Sequence, residues 1–442
     1  MIKLPEQVNK AICLLKNSGF EAYAVGGAVR DCLLGKVPFD WDITTSARPE
    51  ETEKVFCGER IIETGIKHGT VTVIIDDMPL EITTYRIDGD YTDHRHPQTV
   101  SFSDNLRDDL SRRDFTMNTL CCNCDDKIID AFGGKDDLNN KIIRCVGDPD
   151  TRFSEDALRI MRAVRFSAEL GFKIEKSTSD SILKNRQLLS DVSKERLQVE
   201  FTKLITGKYA TDVIRKYHAV IEVFIPELAP LIECEQHTKY HKYDVFEHTL
   251  HAVDAIDFND RILRLTMFFH DFGKPDAKTT DENGTSHFKG HAVISEKKTR
   301  DILKRLKFDN NTINEVSKLV LIHDMKSPRD KIQAKKMMCS LGDEAYLSLI
   351  KIKRADNMAK ADPHAIDEKL KNMRSFYEEI KINNECYNLK SLAVNGDDIK
   401  AFGIAEGKEI KSSLDFLLNG VIEGKCQNRK DELLEYLKEN TK

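Results

Sequence analysis

The sequence predicts an α+β protein, with strands confined to the first third of the chain and helices carrying most of the rest. Two observations carry this. Runs rich in β-branched and aromatic residues, EAYAV, GTVTVII and LEITTY, all end before residue 86. Further along, helical patterns dominate, continuously from about 174 to 232 and again through a series of histidine-bearing segments after 240. At 442 residues a single core is excluded as a sensible prior, and roughly 150 residues per domain suggests about three.

Composition narrows the class. With 32% charged and 40% hydrophobic residues this is a globular chain, and no stretch approaches the ~18 unbroken apolar residues of a membrane span. MIKLPEQVNK lacks a signal-peptide apolar core, so a cytoplasmic location is expected, with no membrane partner. The eleven cysteines show no paired framework; reduced, mostly buried thiols are expected. The net charge of −6 disfavours a uniformly basic nucleic-acid binder but permits a local basic groove.

In chain order, Leu4, Val8, Ile12 and Leu15 at helical spacing predict a first helix that stops at Gly19, followed by the strand EAYAV. GGAVRD then lets the backbone turn tightly, and the helix opening behind the glycines offers free N–H groups to a triphosphate, with Arg30 adding charge. In FDWDITT, Asp40 and Asp42 one apart on an extended strand face the same side, a pair of hard oxygen ligands suited to Mg²⁺. Solvated loop charge is the competing reading. Glu81 in LEITTY becomes a third carboxylate if its strand pairs beside the Asp42 strand. Residues 86–102, polar and of both charge signs, read as a long mobile loop. In DDLSRRDFT, Arg112 and Arg113 can hold phosphate oxygens in bidentate fashion, while Arg112 and Asp114 can equally form inter-element ion pairs.

GGAVRD, DWD, the polar loop, DDLSRRDFTMNTL, DAFGGKDDLNNKIIRCVGDP and FSEDALRIMRAVRFSAELGF together resemble the class II tRNA nucleotidyltransferases, the CCA-adding enzymes and their bacterial poly(A) polymerase relatives. The likeness runs from about residue 20 to about 205. It implies a polymerase-β-like mixed-sheet head whose Asp40 and Asp42 are catalytic and hold Mg²⁺, with Gly27, Arg30 and Arg113 on the nucleotide. It also implies that Asp156 and Arg159 read the incoming base. Chemistry makes that persuasive: cytosine and adenine each pair an exocyclic amino donor with an unprotonated ring nitrogen, which a carboxylate and a guanidinium match. Uracil and guanine reverse both roles. Asp156, Arg159, Arg162 and Arg165 recur every third residue of one predicted helix, so Arg162 and Arg165 are expected to neutralise phosphate. An intrahelical ion-pair strip is the alternative.

After residue 240 a different pattern begins. HKYDVFEHTLHAVD, LTMFFHDFGKP, FKGHAVIS, LIHDM and IKRADNMAK resemble the HD superfamily of metal-dependent phosphohydrolases. That implies a metal site from His248, His270, Asp271, His291, His323 and Asp356. His251 competes with His248 and Asp324 with Asp356, and Mn²⁺, Ni²⁺, Zn²⁺ and Mg²⁺ all suit such ligands.

The expected divisions are a nucleotidyltransferase head at 1–149, a helical neck with the base-recognition helix at 150–235, the HD region at 236–364 and a helical tail at 365–442. In that tail, Gly403 and Gly407 either present backbone N–H groups to RNA phosphate or simply connect two helices. The expected function is CCA addition to tRNA from CTP and ATP. The rivals are a poly(A) polymerase and an HD phosphohydrolase with an RNA-binding head; a CC-adding enzyme would lack the long polar loop.

Overall fold

The computed structural model describes residues 2–63, 65–66, 69–89, 99–125, 127–238, 240–404 and 407–440. The chain forms two compact units, one of residues 1–229 with 305–307, the other of residues 230–304 with 308–442.

The first unit is built on a seven-stranded mixed sheet. Its strands are β1 (Ala22–Val25), β2 (Asp42–Thr45), β3 (Arg60–Ile62), β4 (Thr70–Ile75) and β5 (Met78–Thr84); β6 (Arg86–Asp88) and β7 (Val100–Phe102) form a separate ribbon, and β8 (Cys121–Cys122) and β9 (Ile128–Ile129) complete the sheet. The order is β3-β4-β5-β2-β1-β8-β9. β2 runs antiparallel to β1 and parallel to β5, with Asp42 opposite Glu81. The third carboxylate therefore does pair beside the Asp42 strand. Asp40 itself precedes β2, which opens only at Asp42. Trp41 between them is buried, Asp40 exposed and Asp42 half-buried, so alternation is kept although the strand is shorter than expected.

Helices α1 (Glu6–Asn17), α2 (Gly27–Leu33), α3 (Pro49–Val55), α4 (Leu106–Ser111) and α5 (Gly134–Asn139) accompany the sheet. Val25, Leu110 and Cys121 form a buried cluster with Tyr23, Leu106 and Phe132 against it, joining α4 to β1 and β8. The ends of the long polar loop close as the antiparallel pair β6–β7, an ordering the sequence did not suggest; its centre, residues 90–98, lies outside the described residues.

The expected single helix over FSEDALRIMRAVRF is two. α6 (Pro149–Glu155) ends at Asp156, whose backbone is extended (φ −135°, ψ 101°), and α7 (Leu158–Leu170) begins beyond it. Asp156 Oδ1 accepts from the Leu158 N–H at 3.1 Å, satisfying one of the orphan donors of the new helix. α8 (Lys176–Asn185), α9 (Lys194–Ile205) and α10 (Ala210–Ile221) continue the helical neck.

The second unit is helical: α11 (Val245–Asp254), α12 (Arg261–Phe269), α13 (Lys274–Ala277), α14 (His291–Arg305, whose last residue belongs to the first unit), α15 (Asn310–Ile322), α16 (Lys331–Leu341), α17 (Asp343–Met358) and α18 (Asp367–Ile382), then α19 (Gly396–Ala401), α20 (Lys408–Ile422) and α21 (Lys430–Asn440). Asp244, Asp260 and Asp309 cap α11, α12 and α15 by accepting from the N–H three residues on. The last three helices share a core of Ile399, Leu417, Leu418, Leu433 and Leu437. Gly403 and Gly407 both have positive φ, but residues 405–406 between them lie outside the described residues. Among the described residues no helix is long and apolar enough to cross a membrane. All eleven cysteines are free; against expectation only four are buried, while Cys13, Cys57 and Cys339 are exposed.

Candidate active site and metal centre

At the end of β2, burial pushes the Asp42 carboxyl above its ordinary range; Arg113 opposes the shift and the charge of Asp40 adds to it. Burial likewise raises Glu81, with Asp42 and Asp40 reinforcing it. Two carboxyls whose ionisation burial disfavours, standing beside Asp40, fit a divalent cation, which would favour their charged forms.

Arg113 reaches this group across Gly26. A Cβ on Gly26 would stand 3.0 Å from Arg113 Nη1 and 3.7 Å from Asp42 Oδ2, and its φ of +82° lies where side chains are strained. Only glycine lets the turn pass between the arginine and the acid. Gly27 opens α2 behind it.

Asp109, which sequence reasoning missed, fixes the arginine pair. It is fully buried, takes Arg112 Nε and Nη2 at 2.9 and 2.7 Å, stands 3.7 Å from Arg113 Nη2, and accepts from Thr44 Oγ1 of β2 at 2.9 Å. Its spacing of three and four residues from the two arginines just past the end of α4 was the available signal. Burial would raise its carboxyl, but Arg112 and Arg113 outweigh this and lower it. The inter-element ion-pair reading holds for Asp114, which binds Arg162 Nε and Nη2 at 2.8 and 2.6 Å, while Arg112 pairs chiefly with nearby Asp109 and reaches another element only at Asp88, 3.8 Å away.

The base-reading candidates lie at the break between α6 and α7. Arg159 donates to the Arg112 carbonyl at 2.7 Å and to Glu155 Oε2 at 2.6 Å. Asp156 is held by Arg196 of α9, Nη2 lying 3.1 and 2.9 Å from its two oxygens. Arg196 and Glu155 were not singled out in the sequence.

The expected surface strip does not form. Arg159 and Arg165 are buried, and Arg165 is enclosed by Glu169 and Glu200 at 2.9 and 2.6 Å. Its charge is neutralised between α7 and α9, so the phosphate-neutralising expectation for Arg165 is corrected to an internal ion triad. Arg162 stays one-third exposed while paired to Asp114. Arg30 is buried, donating to Asp31 and Asn118 at 2.9 Å each, with its guanidinium 4.8 Å over the Phe166 ring. It fastens α2 to α7. Arg113 and Asp42 nonetheless flank Gly26, Arg112 precedes Arg113 in the chain, and its carbonyl accepts from Arg159, whose backbone N–H donates to the Asp156 carbonyl at 3.0 Å.

The second unit gathers all six expected ligands. His248, His270 and Asp271 form one group with ligand atoms within 4.8 Å of each other, and Asp271, His291 and His323 form another. Asp271 Oδ2 lies 3.4 and 3.1 Å from Nε2 of His248 and His270; Oδ1 lies 3.4 and 3.7 Å from Nε2 of His291 and His323. Asp356 Oδ1 stands 3.0 Å from His248 Nε2. His251 instead stacks on Tyr243 at 4.3 Å, and exposed Asp324 only borders the cavity, which favours His248 and Asp356 over their competitors.

The local fold explains the convergence. Each imidazole turns Nδ1 to a backbone carbonyl, His248 to Ala359, His270 to Met267, His291 to Phe288 and His323 to Val320, at 2.6–3.3 Å. With Nδ1–H donated there, Nε2 is left as a lone pair aimed at the acids, the tautomer a metal requires. Burial pushes His323 down to about 3 and lowers His248, whereas for His270 burial is outweighed by Asp271 and Asp356, which raise it. For Asp271, burial is outweighed by His270 and Lys274, which hold it well below the usual carboxylate range. Lys274 Nζ lies 2.7 Å from Asp271 and Lys360 Nζ 2.5 Å from Asp356, and both line an adjoining cavity of about 450 Å³ with His241. The donor set fits a divalent metal.

Residues 22–144 match the poly(A) polymerase head domain, 171–232 the RNA and SrmB-binding segment of polymerase A, and 279–437 a tRNA nucleotidyltransferase domain 2. Fold and matches together define a nucleotidyltransferase of the poly(A) polymerase class. CCA-adding enzymes of Bacillus velezensis and Geobacillus kaustophilus are each 34% identical to this chain, over 96% and 99% of it and 95% and 97% of their own lengths. A crystal structure of the Bacillus stearothermophilus CCA-adding enzyme in complex with CTP superposes with a TM-score of 0.72 at 30% identity, covering 98% of this chain and 96% of that one. The chain belongs to the CCA-adding enzyme family of tRNA nucleotidyltransferases.

Proposed function

We propose that this protein builds or repairs the CCA end of tRNA without a nucleic-acid template, taking CTP and ATP and releasing pyrophosphate. The observation that carries the reading is the bond from Arg159 to the carbonyl of Arg112, whose chain neighbour Arg113 stands across Gly26 from Asp42, so that the proposed base reader and the acids belong to one neighbourhood. Asp40 and Asp42, with Glu81 alongside, would hold Mg²⁺. Bound there, the ion supplies charge neutralisation to an in-line displacement at the α-phosphorus. Gly26 and Gly27 let the triphosphate approach the backbone and Arg113 binds its oxygens; Arg162 meets phosphate from its exposed edge. Asp156 accepts from the exocyclic amine of C or A while Arg159 donates to the ring nitrogen, once each exchanges its present partner for the base. The division into head (1–149), neck (150–235), HD region (236–364) and RNA-contacting tail (365–442) follows. Free thiols support a cytoplasmic setting.

The test is incubation of a tRNA ending at its discriminator base with CTP, ATP or both. Three added nucleotides support the reading; two, or a long A tail, refute it.

A second activity is favoured by the four histidines anchored through Nδ1 around Asp271. We infer a metal-dependent phosphoester hydrolysis there, at Mn²⁺, Ni²⁺, Zn²⁺ or Mg²⁺. Such an ion supplies a water of lowered pKa as nucleophile. Lys274 and Lys360 neutralise the acids and border the substrate cavity. Release of phosphate from a phosphoester by metal-loaded protein, lost in His270→Ala, tests it.

A further inference from the structure

Between α2 and β2 the chain passes through Lys36-Val37-Pro38-Phe39 before reaching Asp40. Phe39 is 96% exposed and Val37 95%, the most exposed large apolar side chains among the described residues. Their neighbour Trp41 is buried, so the segment is anchored at its catalytic end while Phe39 projects into solvent. A phenyl ring left this bare contributes nothing to the core, and single exposed apolar residues ordinarily need no explanation. Position makes this one different: its Cα lies about 3.8 Å along the chain from that of Asp40.

Asp40 must stand beside the 3′-oxygen of the RNA end if the reading above holds, and this inference rests on that reading. The base of the same terminal nucleotide is then within a nucleotide's width of Phe39. We infer that Phe39 is a positioning residue, the platform on which the terminal base of the RNA acceptor stacks while its 3′-hydroxyl faces the acids.

The chemistry of the task favours stacking over hydrogen bonding here. The terminal base is not the same in every round: it is first the discriminator base, which can be any of the four, and then C in the next two. A polar reader suited to one edge would reject the others, whereas every base offers a π face. Reading the incoming nucleotide and holding the outgoing end are thereby separate functions, the first polar at Asp156 and Arg159, the second aromatic at Phe39.

The experiment compares wild type with Phe39→Ala, Phe39→Leu and Phe39→Trp on tRNAs ending in N, NC and NCC. Phe39→Ala is expected to raise KM for RNA about 5- to 150-fold on all three primers, from the loss of one base–aromatic stack. KM for CTP and ATP and thermal stability are expected to be unchanged. Phe39→Trp restores the RNA KM and Phe39→Leu does not. An unchanged RNA KM in Phe39→Ala, a leucine variant as good as wild type, or a change confined to CTP and ATP overturns the inference. If wild type adds no nucleotides the proposed function fails, and RNA binding by wild type and Phe39→Ala, followed by fluorescence anisotropy, still decides the platform: equal affinities overturn it.

Discussion

Asp114 accepts from the Phe115 N–H and Asn118 Nδ2 on one oxygen and from Arg162 on the other. Burial would raise its pKa, but Arg162 and Asn118 bring it down to about 2 from an ordinary 3.8. Because the folded value lies below the unfolded one, the stabilisation is complete above about pH 4 and disappears as pH falls through about 2. The shift corresponds to about 2 kcal/mol. Asp114→Asn should therefore lower the urea-derived stability at pH 7 by about that amount, and flatten the acid limb below pH 4. At the reaction centre, Asp42→Asn should cut nucleotide incorporation about 100- to 1000-fold with little change in thermal stability. Asp156→Ala should erode the preference for CTP over UTP by about 10- to 150-fold, the worth of one hydrogen bond to a charged group. Competition assays with both nucleotides measure this. Asp42 was legible from the spacing of its acid pair, and Asp156 from the family resemblance of its motif. Arg196 was not, since its partner Asp156 lies forty residues away and only folding brings them together.

Among elements, the divided helix at Asp156 was the least legible. An uninterrupted apolar rhythm through FSEDALRIMRAVRF gives no sign of the break, because Asp156 can cap the next helix and end the previous one with the same residue. Strands β4 and β5, by contrast, were read within a residue or two, since β-branched runs around a DDMP turn admit little else. The helices that carry the candidate metal ligands were equally clear in place, although no sequence signal foretold how closely the turn after α12 and α14 meet. A Cβ on Gly273 would stand 2.4 Å from the His291 carbonyl and 2.6 Å from the Ser295 nitrogen, both backbone. Gly273→Ala must push apart α14 and the turn behind α12, at about 1–3 kcal/mol, and carry His291 away from Asp271. Loss of bound metal with retained nucleotide addition is the expected result, measured by metal analysis and primer extension in parallel.

At the scale of the whole molecule, the two proposed sites occupy different compact units, 1–229 with 305–307 and 230–304 with 308–442. Substitution in one should leave the other intact. His270→Ala is expected to abolish phosphoester cleavage while tRNA still gains three nucleotides; parallel loss of both activities would assign the histidine a structural role. The seven-stranded order has its own implication. β2 is the fourth of seven strands, with three neighbours on either side. Its amide protons are thus sealed by ladders on both flanks and should be among the last in the first unit to exchange with deuterated water. An RNA end that lengthens over three rounds would be handled by groups that rearrange, while Asp42 rides on the strand expected to breathe least in the head.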